Sequence, residues 1–350
     1  MLVIAAATAL AVGASVLVLQ QVHPTALPWN RSPLVAAAYL PEWDGASTAS
    51  LDTAAQHGLS EVSPVWATVD KDGSLALITP PATEAAALQQ PGLRVIPTIQ
   101  NLAAGQWQGT AVADLLGNPA ASARHVQAIV RAAVSGHWAG VDIDYEELPP
   151  MAGQAFTSFL SNLRDQLHAH HMVLSVAMPA RTEDEGAAET LAYPYPLVGR
   201  IADEFRVMAY DYSWSTSRPG PVAPLPWVQS VVTYAVARVP RDKLMLGLAT
   251  YGYDWVGRSG ADIGGGDAAR LADRQGIRPR WDSSAAASTF TYKKAGRRHT
   301  VWYEDSRSIA AKENVAASNG LRGVALWRLG GEDPQIWTTV AAAATGGSAG

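Results

Sequence analysis

Three acidic residues alternate with apolar ones through Gly140-Val141-Asp142-Ile143-Asp144-Tyr145-Glu146. The β-branched residues between the first acids mark a strand. Strand periodicity places Asp142, Asp144 and Glu146 on one face, about 6.5 Å apart at roughly 3.3 Å per residue. The lead-in, Trp138-Ala139-Gly140, is apolar and small, so the strand reads as buried. Three carboxylates on a buried face lose hydration and repel one another. A fold that keeps such a stack obtains shifted proton affinities, which acid–base chemistry needs.

Strands of this kind recur along the chain. Val35–Leu40, Glu61–Thr68, Arg94–Ile99, Gly140–Asp144, Met172–Ala177, Phe205–Ala209, Lys243–Ala249 and Gly323–Trp327 are short apolar runs. Helical spacing fills the intervals, as in Phe156–His170, Trp227–Val239 and Ser306–Asn319, the last stopped by Gly320. Eight strands alternating with helices predict an α/β fold, a (β/α)8 TIM barrel. The 350 residues are enough for one such domain, and 48% hydrophobic against 16% charged excludes a disordered chain. A formal net charge of −5 argues against a nucleic-acid partner. Cysteine is absent, which removes disulfides and thiol catalysis.

The domain pattern is uneven at three places. Residues 1–19 hold the uncharged apolar run Leu2–Leu19, read as a signal or membrane-anchor segment, and residues 20–33, with Pro24, Pro28 and Pro33, as a linker. Export follows, either secreted or tethered to the outer face of the cytoplasmic membrane. The catalytic barrel is placed at 34–340 and a flexible Ala/Gly-rich tail at 341–350. Between strands seven and eight lie far more residues than the usual loop of about 2–6. Thr289–Lys293 and His299–Glu304 flank Ala295-Gly296 as a hairpin, and Asp267–Gln275 reads as a helix, so 256–304 is predicted to be a small α+β insertion on the C-terminal rim. The hairpin tip, Lys293, Lys294, Arg297, Arg298 and His299, is either a solvated edge or a contact for an anionic wall polymer.

Catalytic groups of such barrels sit at the C-terminal ends of the strands. Strand four ends there in Glu146, strand six in Met208-Ala209-Tyr210-Asp211 and strand eight in Trp327. The candidate chemistry is acid–base work on a glycosidic bond. The same acids also suit a structural cluster or a Mg²⁺ or Ca²⁺ site. His168, His170 and His171 fall at a helix end without completing a ligand set, and we expect neither metal nor cofactor.

On these motifs the chain resembles the family-18 glycoside hydrolases, the chitinase-like group. Their strand-four pattern Asp-Gly-x-Asp-x-Asp-x-Glu is met by Gly140, Asp142, Asp144 and Glu146, with Ala139 replacing the first Asp; Met208, Tyr210 and Asp211 meet Met-x-Tyr-Asp. Leu246–Trp255, Pro219–Trp227, Val301–Arg307 and Gly323–Trp337 look like the bacterial spore-cortex-lytic branch. The resemblance implies a retaining, substrate-assisted hydrolase of N-acetylated glucosamine polymers, peptidoglycan first and chitin oligomers next. A catalytically weak glycan-binding protein on the same barrel is the alternative. Glu146 is then acid and base, Asp144 orients the acetamido group, Asp142 tunes Asp144, and Tyr210 donates to the acetamido oxygen. Asp211 supports nearby and Trp327 floors the sugar. Asn101, Met178, Met208, Arg181, Trp214, Tyr251 and Trp255, near strand ends, are expected to line the groove. Ala139 is expected to alter tuning if the missing carboxyl shares a proton with Asp142.

Overall fold

The computed structural model describes residues 34–70, 72–80, 82–184 and 191–344. The predicted N-terminal segment and linker lie outside the described residues. Eight parallel strands close into a barrel: β1 Val35–Leu40, β2 Glu61–Val69, β3 Thr98–Gln100, β4 Gly140–Asp144, β5 Val173–Pro179, β6 Glu204–Met208, β7 Leu244–Ala249 and β8 Gly323–Trp327. Each pairs with its sequence neighbours, and β1 pairs with both β2 and β8, which closes the ring. The third predicted strand is split: Arg94–Val95 and Thr98–Gln100 both pair with β2, with Pro97 between them. Proline supplies no N–H to a ladder, which accounts for the break.

Alternation sorts every strand into an inner and an outer set. On β4 the outward Val141 and Ile143 are fully buried under helices. The helix Gly153–His168 meets that layer with Phe156, Phe159, Leu160, Leu163 and Leu167, each no more than 1% exposed. Burying five such side chains contributes on the order of 10 kcal/mol, at roughly 1.5–3 kcal/mol each. The helix Ser306–Ser318 starts in a capping box between Asp305 and Ser308 and is followed by Gly320 at φ +65°.

The excursion between β7 and β8 is larger than predicted. It opens at Tyr251, two residues after the end of β7, and its five-stranded sheet runs in the order Ser259–Gly264, Tyr251–Val256, Arg297–Tyr303, Ala287–Lys294, Arg280–Asp282. The predicted start at 256 is five residues late because the apolar run of β7 continues into Tyr251–Val256 without a turn signal. The hairpin turn is as expected: Ala295 and Gly296 have φ +49° and +76°, as a two-residue type I′ turn requires. At the other end the helix Ile336–Ala344 includes residues 341–344, which were expected in the tail. No described helix is long and apolar enough to cross a membrane.

Candidate active site

The inner face of β4 carries Asp142, Asp144 and, just past its end, Glu146. Asp142 lies deepest and is fully buried; Ser175 Oγ on β5 donates to it at 2.5 Å and Thr98 Oγ1 on β3 at 3.0 Å, with Arg206 Nη1 on β6 at 3.8 Å. Burial pushes its carboxyl up, opposed by the Arg206 charge and the two hydroxyls. Asp144 accepts one hydrogen bond, 2.7 Å from Gln100 Nε2, while its Oδ1 is buried without a partner among the described residues. Burial, aided by the charge of Asp142 and opposed by Gln100, pushes Asp144 up to about 7. Glu146 is held well above the carboxylate range by burial first, then by Asp144, Asp211 and Glu147. The acids nearest the strand end therefore hold protons near neutral pH, as a general acid must.

The backbone beneath them is clamped from outside. Asn101 donates from Nδ2 to Glu146 O (2.8 Å) and accepts the Glu146 N–H at Oδ1 (2.9 Å). Tyr145 points outward, within 2.6 Å of His125 Nε2, and His125 Nδ1 lies 2.7 Å from Gly73 O. A carbonyl only accepts, so Nδ1 carries the proton and Nε2 receives the phenol's. Tyr193 OH donates to Tyr145 O and accepts from the Leu148 N–H.

Tyr39, Gln100, Trp107, Ala177, Met208, Tyr210, Asp211 and Trp327 join Asp144 and Glu146 around a pocket of about 260 Å³. Trp327 meets Tyr39 edge to face at 5.2 Å, giving the pocket an apolar wall. Gly247 makes room for Tyr210: a Cβ there would lie 3.2 Å from its ring and 2.6 Å from Val207 O. Asp211, at φ +58°, accepts from Tyr251 OH (2.7 Å) and Tyr253 OH (3.0 Å). A second cavity of about 470 Å³ shares Glu146, Ala177 and Met208 and extends to Pro149 and Tyr193.

The structure brings Asp144, Glu146, Met208, Tyr210, Asp211 and Trp327 together around the pocket, with Asp142 beneath them. Seven other expectations are corrected. Met178 is fully buried on the outer face of β5, and its neighbour Ala177 faces the pocket, a one-residue error of parity. Asn101 is fully buried, with both side-chain polar atoms spent on the Glu146 backbone. Tyr251 is 7% exposed and holds Asp211 rather than lining the pocket. Trp255 is fully buried in the insertion, donating to Trp214 O. Arg181 packs over Tyr195 and Tyr234 and donates to Asp184 O. Trp214, 49% exposed, is on the surface but not among the lining residues of either cavity. Ala139 follows the outward set of β4, away from Asp142, so a carboxyl there would not share its proton; Arg206, Ser175 and Thr98 take that place. Gln100, Tyr39, Trp107 and Tyr193 were missed. Gln100 had a usable signal, a polar side chain directly after the predicted third strand Arg94–Ile99.

A closed parallel barrel with protonated acids gathered at the C-terminal ends of its strands has the layout of a barrel enzyme. Residues 37–332 match the family described as Glycosyl hydrolases family 18, and the chain belongs to that family. It is 30% identical to the cortical fragment-lytic enzyme of Bacillus subtilis (strain 168) over 273 residues, 75% of this chain and 63% of that protein. Among solved structures it is similar to the spore cortex-lytic enzyme SleL of Bacillus megaterium QM B1551, with TM-score 0.81 and 27% identity over 89% of this chain and 74% of that one. It is also similar to a chitinase of Chromobacterium violaceum ATCC 12472, with TM-score 0.83 and 29% identity over 89% and 98%. The chain spans 58% and 63% of the length of two curated relatives it matches.

Proposed function

We propose that this protein is a retaining glycoside hydrolase that cleaves β-linked N-acetylglucosamine polymers, peptidoglycan before chitin, with the substrate's own acetamido oxygen as nucleophile. One observation carries the reading: Asp144 Oδ1, buried without a partner among the described residues, lines the same pocket as Glu146. Family 18 is an exception to hydrolysis by two catalytic carboxylates. Glu146 protonates the leaving oxygen and afterwards takes a proton from water. Asp144 accepts the acetamido N–H and balances the charge of the cyclic intermediate. Tyr210 donates to the acetamido oxygen, and Trp327 supports the sugar's apolar face. The acetamido oxygen attacks the anomeric carbon from the face opposite the leaving group, and water then opens the cyclic intermediate from the leaving group's side, so two inversions retain the anomeric configuration.

The similarity to cortex-lytic proteins supports peptidoglycan, and the apolar run Leu2–Leu19 supports an exported protein, free or membrane-tethered. The test incubates the purified protein and its Glu146→Gln variant with peptidoglycan and chitin oligomers, and identifies products by mass spectrometry. Fragments with reducing N-acetylglucosamine ends, from the parent alone, are expected. Binding without cleavage by both proteins would replace this reading with a glycan-binding one.

A further inference from the structure

The chain is acidic overall, with 26 Lys and Arg against 31 Asp and Glu, yet residues 251–303 hold nine basic residues against five acidic ones. The excess is concentrated. A cavity of about 440 Å³ on the insertion is lined by Arg278, Arg280 and Arg298 together with Thr291, Thr300 and Trp302, and no carboxylate lines it among the described residues. The three arginines are exposed. Arg280 has Asp282 at 3.4 Å, and Arg278 and Arg298 have no ion-pair partner among the described residues. Guanidiniums gathered without counter-charge raise the local potential and favour an external anion.

The sheet register ties this cavity to the active site. Tyr253 pairs with Trp302, Trp302 with Thr289, and Thr289 with Arg280, a single row across four strands. Residues paired across strands share a face. The face whose Tyr253 hydroxyl holds Asp211 at the pocket therefore continues to Arg280, about 14 Å away at roughly 4.8 Å per strand. Trp302 packs in the same cluster as Tyr210 and Trp327.

We propose that the Arg278–Arg280–Arg298 cavity is an anion-binding site for carboxylate groups carried along the glycan at a distance from the sugar being cleaved. Guanidinium forks match carboxylates bidentately, and the threonine hydroxyls and the Trp302 ring supply the remaining polar and apolar contacts. The site thus selects an acidic polymer over a neutral one, and only a substrate long enough to span both positions benefits. The inference rests on the hydrolase reading above.

The test compares the parent with the Arg278→Gln/Arg280→Gln/Arg298→Gln variant on two substrates, soluble peptidoglycan strands bearing free carboxylates and neutral chitin hexamer. The expected result is at least a tenfold loss of kcat/KM on the acidic strands, mainly through KM, with the neutral oligomer unaffected. The parent's preference for acidic strands should also shrink as salt rises. Equal kinetics of the two proteins on both substrates would overturn the site, and an equal loss on both would reduce the arginines to a structural role. Stronger competition by inorganic polyphosphate than by the acidic strands would also overturn the assignment to carboxylates. If the parent cleaves neither polymer, the hydrolase reading fails instead. Cosedimentation with insoluble peptidoglycan, lost in the triple variant or retained, then decides the cavity separately.

Discussion

At the N-terminal end of the barrel lumen Glu61 and Glu204, each 1% exposed, face Arg94, Arg206 and Arg322, with the shortest approach 2.5 Å from Arg94 to Glu61. At the C-terminal end Asp144 and Glu146, on the same kind of strand positions, have no cation within ion-pair distance among the described residues. Asp142 stands between the two sets, with Arg206 on one side and Asp144 on the other. Both sets are buried, so both must be neutralised. The lower set is met by guanidiniums: burial and the charge of Glu204 raise Glu61, while against burial Arg206 and Arg322 hold Glu204 below its ordinary value. The upper set is neutralised by protons, which can be given away. Burying carboxylates is thus common to structural and reactive sites, and the nature of the counter-charge separates them.

Removing one group from each set should give opposite signatures. Glu146→Gln is expected to lower kcat by about 10²–10⁴-fold, the range for a lost general acid, with little change in melting temperature; a large loss of stability would mean Glu146 belongs with the lower set. Arg206→Met removes one of the three guanidiniums facing Glu61 and Glu204 and the cation beside Asp142, and breaking a buried pair costs about 3–5 kcal/mol. Denaturant titration should show that loss, and an unaltered midpoint would break the distinction between the sets.

The pH dependence sharpens the same contrast. Asp144 is raised in the folded protein to about 7, above its unfolded value, so its protonated form stabilises the fold at low pH. That contribution is lost as pH rises from about 4 through about 7. Asp144→Asn should flatten this part of the stability profile, measured by calorimetry between about pH 4 and pH 8. An effect of the same sign is expected at Glu313, 3% exposed on the helix Ser306–Ser318, with Oε1 partnerless among the described residues. Burial raises it to about 8, so Glu313→Gln should raise the melting temperature more above about pH 8 than below about pH 5.

The eight strands were legible because apolar runs and helical spacing are local properties. The upper carboxylates were legible for the same reason, since period two acts within a single strand. The lower set was not: Arg206 reaches Ser63, 143 residues away, and no local pattern links them. Met178 and Ala177 show a second limit, because a strand end located correctly can still be misread by one residue of parity. Asn101 and Trp255 show a third. Proximity to a strand end gives the neighbourhood of a polar or aromatic side chain, while its partner is decided by loops distant in sequence. The average charge also hid a local one, since an acidic chain carries a basic insertion.

Tyr145 separates Asp144 and Glu146 in sequence, yet its hydroxyl is committed to His125 and its carbonyl to Tyr193, both behind the strand. Together with Asn101 on the Glu146 backbone, these groups fix the strand end without using the side chain of Asp144 or Glu146. The strand end and the two carboxyls it presents are therefore held through different residues. A lineage could replace Glu146 and keep the cleft intact, so a sugar-holding descendant that no longer cuts is a single codon away.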